Sequence, residues 1–262
     1  MANQATIFAD EGNLKEVLKI YKPLIQKKII RQALIISASG EKDAIWEINE
    51  AKKYKLKTQL LTCNKQASAA KIADKTRVFK KITEPYSYNF STYLSMILAK
   101  YQENPKKIKN FLNKLNVPKK FNNFQYFTFI LPDKYRAITD MIKVKDDEMF
   151  AANSSLRAFS EGQARHAKFI YQAKKELVIS FGSNKYFGYP ENRWEIKLPK
   201  YENYAFHLSL GYYLVGLIQT KKPDYFKNSL EDYCLNRGPK PYQGKNNFKI
   251  LVPGDENHNK EK

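Results

Sequence analysis

The run Ser37-Ala38-Ser39-Gly40 carries the clearest chemistry in this sequence. Two hydroxyls and a glycine follow an apolar stretch, Ala33-Leu34-Ile35-Ile36, and a helix begins at about Glu41 to Asp43. Such a loop leaves backbone N–H groups bare at a helix N-terminus. The helix dipole favours an anion there and the hydroxyls add donors, so the loop suits a phosphate. Lys42 adds a formal charge, whereas Glu41 and Asp43 would repel an anion. An ordinary helix N-cap at Ser39 uses the same residue types. On spacing alone both readings stay open.

A second constellation lies downstream. The helix expected from Tyr135 carries Ile138, Met141, Ile142 and Met149 on its apolar side, and Glu148 falls at the end of that stripe. Desolvation there would raise a carboxylate toward the range of a general base. Lys145, one turn earlier, opposes that rise, and the run Lys145-Asp146-Asp147-Glu148 equally suits a solvated face. His166, in Glu161-Gly162-Gln163-Ala164-Arg165-His166-Ala167, could pass protons near neutral pH. Of the other histidines, His207 lies in an apolar helix and reads as packed, and His258 lies in the polar tail.

These residues need a frame, and strands alternating with helices supply one. Short strands are expected at Ala5 to Ala9, Ala33 to Ser37, Thr58 to Thr62 and Arg77 to Ile82. Between them lie helices over Leu14 to Gln26, around Ala44, Ile48 and Ala51, and near Ala67 to Ala73, with a further helix over Phe90 to Tyr101. The Lys- and Asn-rich segment Asn104 to Lys120 reads as the boundary. Beyond it come strands at Gln125 to Leu131, Leu177 to Phe181 and Trp194 to Leu198. Helices are expected at Tyr135 to Phe150, Leu156 to Tyr171, Tyr204 to Ile218 and Tyr225 to Cys234. The order predicts an α/β fold with mostly parallel sheets covered by helices on both sides. Two units follow, residues 1–115 and 116–238, with a tail at 239–262.

Composition narrows the class. At 262 residues and 43% hydrophobic content the chain can build a real core. No apolar run reaches the ~20 residues of a membrane span, and the start has no secretory pattern, which places the protein in the cytoplasm. Two cysteines make neither a disulfide scaffold nor a metal cluster. The net charge of +20 is spread along the chain as lysine, without a recognition helix or zinc-knuckle spacing. It would draw in an anionic small molecule, and nucleic acid or another anionic polymer is the weaker alternative.

The motifs also resemble a known family. Ile35-Ile36-Ser37-Ala38-Ser39-Gly40-Glu41, then Leu60-Leu61-Thr62-Cys63-Asn64, is similar to the sugar isomerase (SIS) domain. That family includes the isomerase half of glucosamine-6-phosphate synthase and the tagatose-6-phosphate ketose/aldose isomerases. Its Ser-x-Ser-Gly-Glu-Thr loop grips the substrate phosphate, and Lys42 stands here where Thr is usual. The segment from Glu84 to Leu94 resembles the one that lines the sugar pocket, which implies a sugar contact from Ser87. Ile142 to Glu148 followed by Arg165-His166-Ala167 resembles the family's Lys-rich helix and its His-Gly-Pro turn, with Asp146 a competing match for the family Glu and Ala167-Lys168 replacing Gly-Pro. The family's first strand and its Gly-x-Gly-x-Ser loop have no counterpart before Ser37, so the first unit reads as one β-α segment short.

The resemblance implies two SIS-type three-layer αβα units. It implies phosphate contacts from Ser37, Ser39, Gly40 and Lys42, sugar contacts from Ser87 and Lys145, Glu148 as proton carrier through an enediol, and His166 assisting ring opening. The activity implied is aldose-ketose isomerisation or deamination of an amino-sugar phosphate, without metal or cofactor, in a homodimer or larger assembly. A non-catalytic sugar-phosphate sensor is the alternative.

Overall fold

The computed structural model describes residues 6–41, 43–80, 90–150, 154–221, 229–230 and 232–237. The chain forms two compact units, Met1–Thr83 and Glu84–Lys262.

The smaller unit opens with helices α1 (Leu14–Ile20) and α2 (Lys22–Gln26). The sequence suggests one helix here, but Pro23 in the first turn of α2 cannot continue α1 and starts a new helix instead. Strand β1 (Gln32–Ile36), helix α3 (Asp43–Lys53), strand β2 (Lys57–Thr62) and strand β3 (Lys75–Val78) follow. The strands are parallel in the order β1-β2-β3. Ala44 and Ile48 of α3 pack with Ile35 and Leu60 on one face of this sheet. On the other face of β1, Leu34 and Ile36 remain 44% and 48% exposed. Residues 6–10 form no strand, so the strand expected at Ala5 to Ala9 is absent from the described part. The segment near Ala67 to Ala73 is a 3-10 turn, Ser68–Lys71, rather than an α-helix.

The larger unit begins before the boundary read from sequence. Helix α4 (Ser91–Tyr101) belongs to it, because Leu94, Ile97 and Leu98 pack on its core and Phe90 stacks on Tyr212 at 4.5 Å. The Lys- and Asn-rich segment holds a helix, α5 (Pro105–Asn113). The Asn104 side chain accepts from the backbone N–H groups of Lys106 and Lys107, and Pro105 takes the first helical position. Ile108 of α5 is buried, and Phe111 and Leu112 pack on the same core.

Strands β4 (Tyr126–Leu131), β5 (Ser155–Ser160), β6 (Glu176–Phe181) and β7 (Arg193–Ile196) make a parallel sheet in the order β5-β4-β6-β7. Helices α6 (Arg136–Lys145) and α7 (Glu161–Arg165) flank β5 in the chain. Helix α8 (Tyr204–Gln219) is buried around most of its circumference, as its nearly unbroken apolar sequence demands. The segment expected as a helix over Leu156 to Tyr171 opens as β5. Leu156, Ala158 and Ser160 are buried in alternation, which is strand periodicity. Arg157, on the opposite face, reaches Glu176 Oε1 at 2.5 Å, and that oxygen also accepts the Thr128 hydroxyl at 2.5 Å. Most of the helix expected at Tyr225 to Cys234 lies outside the described residues.

His207 is fully buried on α8. Its Nε2 lies 2.6 Å from Glu202 Oε2, which also accepts the Tyr135 hydroxyl at 2.5 Å, and the Tyr135 and His207 rings stack at 3.7 Å. Burial holds the imidazole down to about 4, although Glu202 pulls upward. The folded chain therefore keeps His207 neutral while the unfolded chain protonates it near the ordinary value of 6.5. This contribution is whole above that value and drains away as pH falls toward 4, by about 3 kcal/mol. Chemical denaturation between pH 7 and 4 should show the loss in wild type and a flatter profile in His207→Gln.

Candidate functional site

In the smaller unit, the hydrogen-bond ladder of β1 runs one residue past its end, with the Ser37 N–H on the Leu61 carbonyl at 3.0 Å. The chain then turns. Ser37 Oγ accepts from the Gly40 N–H at 3.1 Å and Ser39 Oγ from the Glu41 N–H at 3.3 Å. Each hydroxyl still has its own hydrogen to donate. The carbonyls are tied to the turn after β2. Ala38 O accepts from the Thr62 hydroxyl at 3.1 Å and the Cys63 N–H at 2.9 Å, and Ser39 O accepts from the Asn64 amide at 3.3 Å. Thr62-Cys63-Asn64, noted in the sequence beside the loop, is thus its brace.

Gly40 is buried with φ +64, the left-handed region. A Cβ there would sit 2.5 Å from Ala67 Cβ and 3.1 Å from Thr62 Oγ1. The Glu41 carboxylate accepts the Ser68 N–H at 2.9 Å, a bond that holds its pKa below the ordinary carboxylate value. The amides of Gly40 and Glu41 are therefore not bare, as the sequence suggested, but satisfied by the loop's hydroxyls. The loop stands at the carboxyl end of a parallel strand, before an 11-residue helix, where ligands of α/β sheets gather. Gly40→Ala should destabilise the protein by about 2–4 kcal/mol, from left-handed strain plus the clash, measurable as a lowered denaturation midpoint.

The second constellation lies in the larger unit. Helix α6 runs into a wider π turn, Asp146–Phe150, a feature frequent at functional sites. Lys145 is buried, and its ammonium pairs with the half-exposed Glu148 carboxylate and sits 5.7 Å from the centre of the Tyr212 ring. Glu148 is thus not the isolated, desolvated carboxylate that its place on the apolar stripe suggested. Asp146 comes nearer to that description. Burial raises its pKa above the ordinary value, while the Leu156 N–H, 2.8 Å from Oδ1, works against the rise.

His166 is the exposed residue that ends α7. Among the described residues it makes no hydrogen bond or ion pair with Glu148 or Asp146. Ala167, which follows, has φ +59. The turn therefore keeps a conformation suited to glycine although the residue is alanine. Ala167→Gly should raise stability by about 0.5–1 kcal/mol, read from the same denaturation curves. Lys42 and Ser87 lie outside the described residues. Among the described residues no cluster of His, Cys, Asp or Glu could hold a metal ion, and no helix is long and apolar enough to cross a membrane.

No family model and no curated protein matches this chain by sequence. A solved structure matches its architecture, an α/β fold with two parallel sheets. The chain is similar to the C-terminal domain of glucosamine-fructose-6-phosphate aminotransferase from Francisella tularensis, with TM-score 0.52 and 15% identity over 82% of this chain and 81% of that one. Tagatose-6-phosphate ketose/aldose isomerase from Escherichia coli gives TM-score 0.49 and 11% identity over 90% and 83%. Glucosamine-6-phosphate deaminase from Thermotoga maritima gives TM-score 0.42 and 19% identity, with 64% of this chain covered and only 61% of the deaminase. At 15% identity the likeness to the aminotransferase domain defines a fold, and function has to be argued from the site.

Proposed function

We propose that this chain binds a sugar phosphate through Ser37, Ser39, Gly40 and Lys42 and interconverts its aldose and ketose forms, or acts as the related amino-sugar isomerase or deaminase. The observation that carries the proposal is the braced loop Ser37–Gly40. Its two hydroxyls stand ahead of α3, and its shape admits only glycine at position 40. Phosphate held there would fix the far end of the substrate and orient C1 and C2 for reaction. Ser87 and Lys145 would contact the sugar. A carboxylate would take the C2 proton, leaving an enediol, and return it to C1, while His166 would assist ring opening. The same reading carries a homodimer or larger assembly in the cytoplasm.

Two carboxylates compete for the proton. Asp146 is favoured over Glu148, because burial lifts its pKa toward the working range, whereas Glu148 must first leave its partner Lys145. The exposure of His166, with no bond to either carboxylate, favours a second reading, a sugar-phosphate sensor without turnover. Wild-type protein incubated with hexose and hexosamine 6-phosphates should interconvert at least one of them. Asp146→Asn should slow that reaction about 10²–10⁴-fold with sugar-phosphate affinity retained, and Glu148→Gln should slow it less. If wild type binds but converts none, the isomerase reading fails and the sensor stands.

A further inference from the structure

A groove in the larger unit lies apart from the residues of the candidate site. It is a shallow, open groove of about 780 Å³ between α5 and β7. Strand β7 ends the sheet order and, among the described residues, pairs only with β6, so its other edge offers unpaired backbone N–H and C=O groups. Proteins usually cover or blunt such an edge, because it invites another strand. Here, among the described residues, no backbone hydrogen bond from another segment reaches that edge.

The walls say what kind of strand would fit. Lys107, Asn110 and Phe111 of α5, with Lys114 at its C-cap, recur at the spacing of one helix face and line one side. The half-buried Phe111 and Leu115 form an apolar floor over the buried Trp194 and Ile196. Lys197 stands on the β7 side, and among the described residues Glu195 is the one acidic residue that lines the groove. Tyr201 closes one end: its hydroxyl donates to the Lys107 carbonyl at 3.2 Å, and the Lys107 ammonium lies 5.6 Å from its ring centre. The groove thus pairs an apolar floor and an open strand edge with lysines on both lips, in a chain of net charge +20.

We propose that this groove docks an extended acidic segment of a partner protein, which adds to the free edge of β7 as a further strand. Backbone pairing would supply the direction, an apolar side chain would rest on Phe111 and Leu115, and flanking carboxylates would meet Lys107, Lys114 and Lys197. Strand addition with side-chain selection is a recurrent mode of peptide capture, and the lysines supply charge complementarity to an acidic partner.

A short fluorescein-labelled peptide of alternating glutamate and valine tests this by fluorescence anisotropy on the full chain. Binding is expected at low salt, weakening as salt rises. Lys107→Glu with Lys114→Glu, both at exposed positions, should weaken it about tenfold or more. The same peptide N-methylated at alternate amides cannot pair with a strand and should not bind. Absence of binding, indifference to the charge reversals, or equal binding of the methylated peptide each overturns the proposal. So does a dimer that dissociates in the double variant without peptide, because a second copy would then fill the groove.

Discussion

At Gly40 the backbone turns left-handed against Ala67 and Thr62, with no room for a side chain. The loop that follows β1 depends on this contact. The turn brings the carbonyls of Ala38 and Ser39 onto Thr62, Cys63 and Asn64, and the Gly40 carbonyl accepts from the Ala69 N–H at 3.1 Å. Adjacent parallel strands are thereby locked at their carboxyl ends. The two hydroxyls sit between a strand end and a helix start because the backbone beneath them cannot slide. A loop held this way has few other conformations, which is what the proposed anion site would require.

The larger unit solves a different problem, how to keep charge inside a core. Glu176 is nearly buried yet shared between Arg157 and Thr128, and Glu202 serves both Tyr135 and His207. Glu103 accepts from the backbone N–H groups of Asn203, Ala205 and Phe206, which caps the long apolar helix α8. Lys145 and Glu148 follow the same rule, since a buried ammonium is tolerated only with a partner. Asp146 differs. Its one strong bond is to a backbone N–H, and burial leaves it with a raised pKa. That difference, within a single π turn, is why the two carboxylates are assigned different prospects as a base.

The sequence showed some of this directly. The apolar runs at Ala33 to Ile36, Phe127 to Leu131 and Leu177 to Phe181 are strands because continuous apolar stretches suit parallel sheets. The turn at Ser37 was legible from residue type as a link between a strand and a helix, although an N-cap and an anion site use the same residues there. Helix α5 was hidden by its lysines and asparagines, whose polarity masked Ile108, Phe111 and Leu112 at helical spacing. Strand β5 was hidden because Arg157 and Phe159 broke the apolar alternation, and only the partners Glu176 and Thr128 explain an arginine there. The pairing of Lys145 with Glu148, and the burial of Asp146, depend on tertiary packing that no spacing rule contains.

The central claim is that the Ser37–Gly40 loop receives a phosphate. Backbone amide NMR spectra recorded while fructose 6-phosphate, and separately fructose, are added would test it most directly. The account predicts saturable shifts for Ser37, Ser39, Gly40 and Glu41 with the phosphorylated sugar and none with fructose. Shifts that leave those four amides untouched, or that are equal for both sugars, would contradict it.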